Sequence, residues 1–127
     1  MTSWKPDGYT SAAPYLVVKD AKATLTFLKT AFGAVPLRCM PRPDGKITHA
    51  EASIDDTVVM LSDEMPGWPA VAAHVHIYVP DVDEAYRRAL AAGGESVMEP
   101  LRKDDNDKRG GVKDAGGTTW WIATQIA

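Results

Sequence analysis

Two histidines spaced two apart stand at the head of an alternating run, "AAHVHIYVP", residues 72–80. In a strand, His74 and His76 point to one face, as neighbouring imidazoles that share a metal or pass a proton often do. A second pair with the same spacing, His49 and Glu51, lies in "THAEAS". Four such groups on one face would in principle hold zinc. Lining a wet strand face, the same four need no metal and serve as hydrogen-bond partners or proton carriers. Glu51 is the acid/base candidate: a lone carboxylate between apolar strands, which desolvation would push up toward the useful range. Its competing reading is an ion pair with Arg109 or Lys46.

The elements that must position these residues emerge when the chain is slid along itself. Asp20 opens the helical run "DAKATLTFLKTAFGA" and Asp81 opens "DVDEAYRRALAAGG", an offset of 61. Each Asp follows an alternating apolar stretch, "PYLVVK" and "VHIYVP", and suits a helix N-cap. The same offset lays "DDTVVML", from Asp55, on "GGTTWWI", from Gly116. Each half reads as strand, helix and three strands. The first half places strands near 13–19, 36–41, 47–54 and 57–63, with a helix over 20–32 whose apolar stripe is Leu25, Phe27, Leu28, Ala31 and Phe32. The second places strands near 73–79, 95–99, 109–114 and 118–124, with a helix over 81–92. Gly33 and Gly93/Gly94 fall at helix ends, and "RPDGK" and "IDDT" are hairpin turns. The expected organisation is one domain over 1–127: a tail at 1–11, a first βαβββ unit at 12–64, a connection at 65–72 and a second unit at 73–126. The fold class is α+β, two pseudo-symmetric βαβββ units forming a curved mixed sheet, with helices on one face and a cup on the other.

Composition narrows the function classes. Hydrophobic residues make up 45% and charged residues 24% of the 127, enough for a real core. A net charge of −3 argues against a nucleic-acid surface. No stretch approaches the roughly 18 apolar residues of a membrane span, and "MTSWKPDGYTS" has no apolar signal core. Cys39 is the single cysteine, read as a half-buried structural thiol in a reducing compartment. The expected location is the cytoplasm, with neither nucleic acid nor membrane as partner.

The runs "PYLVVKDAKATLTFLKTAFGA", "THAEASIDDTVVMLSDE", "HVHIYVPDVDEAYRRALAAGG" and "DKRGGVKDAGGTTWWIAT", in this order, resemble the vicinal oxygen chelate superfamily, the glyoxalase/bleomycin-resistance/dioxygenase proteins. Within it the chain is most similar to the PhnB-like branch. It departs from that branch at "DNDKRGGVKDAGGTTW", where an aromatic-Gly-Asp-Arg and then an Asp-Pro-Phe-Gly turn are usual. Metal enzymes of the superfamily take one ligand from the first and one from the last strand of each unit. The resemblance puts those four places at Ala13, Met60, His74 and Trp121. One imidazole does not hold a divalent ion, which needs about three protein ligands. No cofactor and no metal are therefore expected.

Alternation assigns Tyr15, Val17, His49, Glu51, Val58, Met60, Ser62, His74, His76, Tyr78, Thr119 and Trp121 to the cup. Pro14, Leu16, Val18, Val59, Leu61, Trp120 and Ile122 take the helix-packed face. The expected ligand-binding set is Tyr15, His49, Glu51, Met60, His74, His76, Tyr78 and Trp121: aromatic walls, a flexible methionine and a few polar handles, suited to a flat organic ligand. The alternative is that these side chains fill the cup or a dimer seam. Trp68, in the connection "DEMPGWPAVA", either folds over the cup or anchors the linker. "RKDDNDKR" reads as a solvated, mobile loop. The function this implies is metal-independent binding of a small molecule, aromatic or antibiotic, as in bleomycin-resistance proteins. The alternative function is a metal-dependent lyase, isomerase or dioxygenase with a non-standard ligand set. The resemblance also implies a homodimer, with cups completed across its interface.

Overall fold

A computed structural model of the chain describes residues 4–127. The first unit runs β1 (Tyr15–Val18), α1 (Ala21–Phe32), β2 (Val35–Pro41), β3 (Ile47–Ile54) and β4 (Thr57–Asp63). The second runs β5 (Ala73–Tyr78), α2 (Val82–Ala91), β6 (Glu95–Arg102), β7 (Asp107–Lys113) and β8 (Thr118–Gln125). Each unit carries its own four-stranded mixed sheet, ordered β1-β4-β3-β2 and β5-β8-β7-β6. The sheet is thus divided at the boundary between units rather than continuous across it.

Local chemistry explains where the helices begin and end. Asp20 and Asp81 sit in extended backbone and accept the N–H of Ala23 and Glu84, each at 3.1 Å, so both cap orphan donors of a first turn. Gly33 ends α1 in the left-handed region, φ 67°, which costs glycine no Cβ clash. A further carboxylate ties α1 to the sheet. Buried Asp63 accepts Ala21 N–H through one oxygen and Ile47 N–H through the other, both at 2.7 Å. In the second unit buried Asp114 accepts Thr118 N–H at 3.1 Å and Trp120 Nε1–H at 2.8 Å.

The register carries the 61-residue repeat into three dimensions. Tyr15 pairs with Met60 in the parallel β1–β4 ladder, and His76 pairs with Trp121 in the parallel β5–β8 ladder. Both helices and the inner faces of both sheets share one core. Leu16, Val18, Val59 and Leu61 from the first unit join Trp120 and Ile122 from the second, with Phe27, Leu28, Val82 and Ala89 from the helices. The ring of Phe32 reaches across to Trp120, centroids 5.4 Å apart. Burying these alternate residues fixes the faces, because a one-residue slip would turn every apolar side chain outward. Each sheet therefore presents its other face, the cup face, away from the core.

The edge strands β2 and β6 of those faces are largely uncovered. Every residue of β2 is exposed, Val35, Leu37 and Met40 among them, and so are Val97 and Leu101 on β6. Cys39 is exposed as well, which corrects its reading as a half-buried thiol: it sits on β2, an edge strand of its sheet. The charged run "RKDDNDKR" also differs from its reading as a loop. β6 extends to Arg102 and β7 starts at Asp107. The short turn between them is held by Arg102, which donates to Asp105 O at 2.9 Å and Asn106 Oδ1 at 3.3 Å.

Candidate functional site

The eight expected ligand residues divide between the two sheets: Tyr15, His49, Glu51 and Met60 line the first cup, and His74, His76, Tyr78 and Trp121 the second.

In the first cup the chemistry gathers on Glu51. It is 2% exposed on β3, opposite Met60 of β4, and its partners are neither Lys46 nor Arg109. His49 Nε2 lies 2.7 Å from Oε2, and the Tyr9 hydroxyl donates to Oε1. Lys46 instead donates to Glu64 O, 3.4 Å away. Desolvation pushes the Glu51 carboxyl up, but the hydrogen bonds from His49 and Tyr9 outweigh it, with help from the charges of His49 and Arg38, and hold it below the usual range. This reverses the expected direction, because burial alone did not anticipate two donors aimed at the carboxylate. The hydrogen bond to Glu51 in turn raises the Tyr9 phenol.

Aromatic rings surround this cluster. Tyr15 meets His49 with centroids 5.7 Å apart and Trp68 edge-on at 6.5 Å. Trp68 Nε1–H donates to Ser62 Oγ at 3.0 Å, so the connection does fold over the first cup. Tyr9 was missed in the sequence because it sits in a segment read as a tail. Its Thr10 lies against β4 instead, accepting the Val58 N–H at 3.4 Å.

The second cup is built differently. Trp121 Nε1–H donates to His74 Nδ1 at 3.0 Å, and the two rings lie nearly parallel, 10° apart with centroids 6.1 Å apart. Gly111 is Trp121's register partner, and a Cβ there would come within 2.6 Å of the indole, so only glycine lets the ring lie over β7. Arg109 donates to His76 Nε2 at 3.1 Å, Asp105 at 3.2 Å and Asp107 at 2.9 Å. Tyr78 hydroxyl donates to Asp107 at 2.7 Å. Desolvation, then the Arg109 charge, lowers His76, while the hydrogen bond to Asp107 raises the Tyr78 phenol. Two cavities lie along the seam between the units. A hollow of about 660 Å³ is lined by Phe32, Ile54, Ile77, Tyr78 and Val79, and a neighbouring one of about 320 Å³ by Pro14, Val75, His76 and Tyr78.

The donor set does not suit the superfamily's metal. Met60 and Trp121 carry no suitable ligand atom, and neither does Ala13. His74 is engaged as well: an indole N–H can only donate, so it takes the lone pair of a neutral His74 ring. Among the described residues no three of His, Cys, Asp and Glu come close enough to hold an ion. The set His49, Glu51, His74 and His76 is split between two sheets.

Paired βαβββ units with outward cups define a class of small α+β protein. The sequence pattern of the Glyoxalase/Bleomycin resistance protein/Dioxygenase superfamily matches residues 9–122, and the chain belongs to that superfamily. An uncharacterized protein of Mycobacterium bovis is 36% identical over 128 aligned positions, covering 90% of this chain and 82% of that one. TioX from Micromonospora sp. ML1 is 25% identical with a TM-score of 0.75, covering 91% of this chain and all (100%) of TioX. The fosfomycin resistance protein FosX of Listeria monocytogenes, solved with Mn(II) and sulfate, shares the fold at 18% identity and a TM-score of 0.70, covering 92% of this chain and 90% of its own. No helix among the described residues is long and apolar enough to cross a membrane.

Proposed function

We propose that the protein binds a flat organic molecule, aromatic or antibiotic, in its cup without a metal ion. The observation that carries this is the first cup itself: a buried carboxylate held by His49 and Tyr9, with the Tyr15 ring against His49 and Trp68 edge-on to Tyr15. Aromatic faces supply area for a flat ligand and pairing worth about 0.5–1.5 kcal/mol beyond burial. Met60, opposite Glu51, supplies an adaptable wall. The loss of donors at Ala13, Met60 and Trp121 supports binding rather than metal chemistry. The kinship proposed is with bleomycin-resistance proteins, through the PhnB-like branch, in a cytoplasmic setting.

A homodimer completes the site in this proposal, bringing His74, His76, Tyr78 and Trp121 of one copy toward Tyr15, His49, Glu51 and Met60 of the other. Supporting it are the exposed apolar side chains of β2 and β6 and the 63% exposed ring of Tyr78, more uncovered sheet than a monomer usually leaves.

Titration with a panel of planar ligands, followed by tryptophan fluorescence in the presence of a chelator, tests the reading. Saturable quenching is expected, reduced in Trp68→Phe. Stoichiometric zinc, iron, nickel or manganese in untagged protein, lost in His74→Ala, would overturn it in favour of a metal-dependent lyase, isomerase or dioxygenase.

A further inference from the structure

We propose that the first cup also transfers a proton, with His49 as general base, Glu51 as its positioning carboxylate and Tyr15 as the donor to the oxygen that gains charge. This rests on the binding reading above and adds a ligand class: a planar carbon acid whose conjugate base spreads its charge onto an oxygen.

The tautomer follows from the partners. An ionised carboxylate only accepts, so the 2.7 Å contact between Glu51 Oε2 and His49 Nε2 places a proton on Nε2. A neutral ring then has its lone pair on Nδ1. Nδ1 faces the Tyr15 hydroxyl at 3.4 Å, the donor being the phenol. That contact is long for a hydrogen bond and opens easily to a third group. The exposure runs the right way. Glu51 is 2% exposed at the closed end, the His49 side chain 23%, and Tyr15 45% at the mouth. Base and donor are therefore presented side by side at the open end of a chain whose fixed charge is buried. As the imidazole gains a proton, the buried carboxylate stabilises it, the role of the third member in a catalytic triad. Tyr9 keeps the second Glu51 oxygen occupied, so the carboxylate does not rotate away.

In the step, Nδ1 takes the proton of a C–H bond next to a carbonyl. The C–H pair forms the carbon–carbon double bond, and the carbonyl π pair moves onto oxygen, where the Tyr15 O–H donates. Return of the proton from Nδ1 to carbon, on the same or the conjugate position, closes the cycle as exchange or isomerisation. No oxidant, reductant or co-reactant enters.

The probe is 5-nitrobenzisoxazole, a planar carbon acid. Removal of its C–H proton by His49 makes the C≡N bond, breaks the N–O bond and releases a coloured phenolate that Tyr15 meets. Wild-type protein is expected to accelerate this reaction. General-base removal typically costs 10²–10⁴-fold, so His49→Gln is expected to lose at least about 100-fold in kcat, with a far smaller change in KM. Glu51→Gln and Tyr15→Phe should each lower kcat, and Glu51→Asp serves should the first not fold. ¹⁵N NMR is expected to show the His49 proton on Nε2. Bound probe turned over no faster by wild type than by His49→Gln, or a proton found on Nδ1, overturns the proton-transfer role and leaves the binding reading intact. Failure of the probe and of every planar ligand to bind overturns both.

Discussion

Tyr15 and Glu51 both stand beside Met60 in the first unit; His76 and Gly111 stand in the matching places beside Trp121 in the second. The backbone register repeats, yet the chemistry does not. Where the first unit buries a carboxylate, the second has a bare glycine, and an indole fills the space. The first cup thereby acquires a hydrogen-bonded charge at its base, and the second acquires a flat ring hydrogen-bonded to His74. A duplicated scaffold keeps its alternation because the shared core demands it. The outward residues are under no such constraint and diverge freely.

The largest effect should appear at the two buried aspartates that hold the units' frames. Asp63→Ala leaves the N–H groups of Ala21 and Ile47 without their acceptor. At about 1–3 kcal/mol for each orphaned buried group, the loss is on the order of 2–6 kcal/mol, measured by denaturant unfolding. Asp114→Ala frees the N–H of Thr118 and the indole N–H of Trp120, and a comparable loss would show that the frames are equivalent. Next comes Gly111→Ala, whose new methyl meets the Trp121 ring. Overpacking of this kind costs about 1–3 kcal/mol. Near-ultraviolet circular dichroism should change as the indole lifts from His74.

A smaller effect separates the cups by pH. The Glu51 carboxyl is lowered in the folded protein, so its contribution is present above the unfolded carboxylate range and lost as pH falls through the folded value. Glu51→Gln should flatten stability on the acid side, below about pH 4.5, the ordinary value. His76 is also lowered. A histidine favoured neutral in the fold stabilises it fully above its ordinary 6.5 and progressively less as pH drops below. His76→Asn should remove a shallow slope that sets in as pH falls below the ordinary 6.5, leaving the Glu51 limb in place.

How much of this was written in the sequence depends on the kind of information. Strand and helix positions were legible because core burial imposes period 2 or 3.6 on the letters, and Asp20 and Asp81 announced both helix starts. The assignment of Leu16, Val18, Val59, Leu61, Trp120 and Ile122 to the core face follows from the same alternation, and all six are buried. The site was legible only in part. Alternation placed Glu51 on the cup face, but its partners come from 42 residues away, Tyr9, and from its own strand, His49. No local pattern reports a contact across that distance. Asp63 was invisible for the same reason: its ligands are backbone N–H groups, and every residue except proline offers one. The division of the eight cup residues into two sheets also lay beyond periodicity, which gives a face but not a neighbour.

Chelator-treated protein and its Trp68→Phe variant, titrated with a planar ligand while tryptophan emission is followed, decide whether the first cup binds without a metal ion. Saturable quenching that survives the chelator in wild type and falls sharply in Trp68→Phe is the result expected of a metal-free site in the first cup. Binding abolished by the chelator and restored by a divalent ion, or undiminished without Trp68, would contradict it.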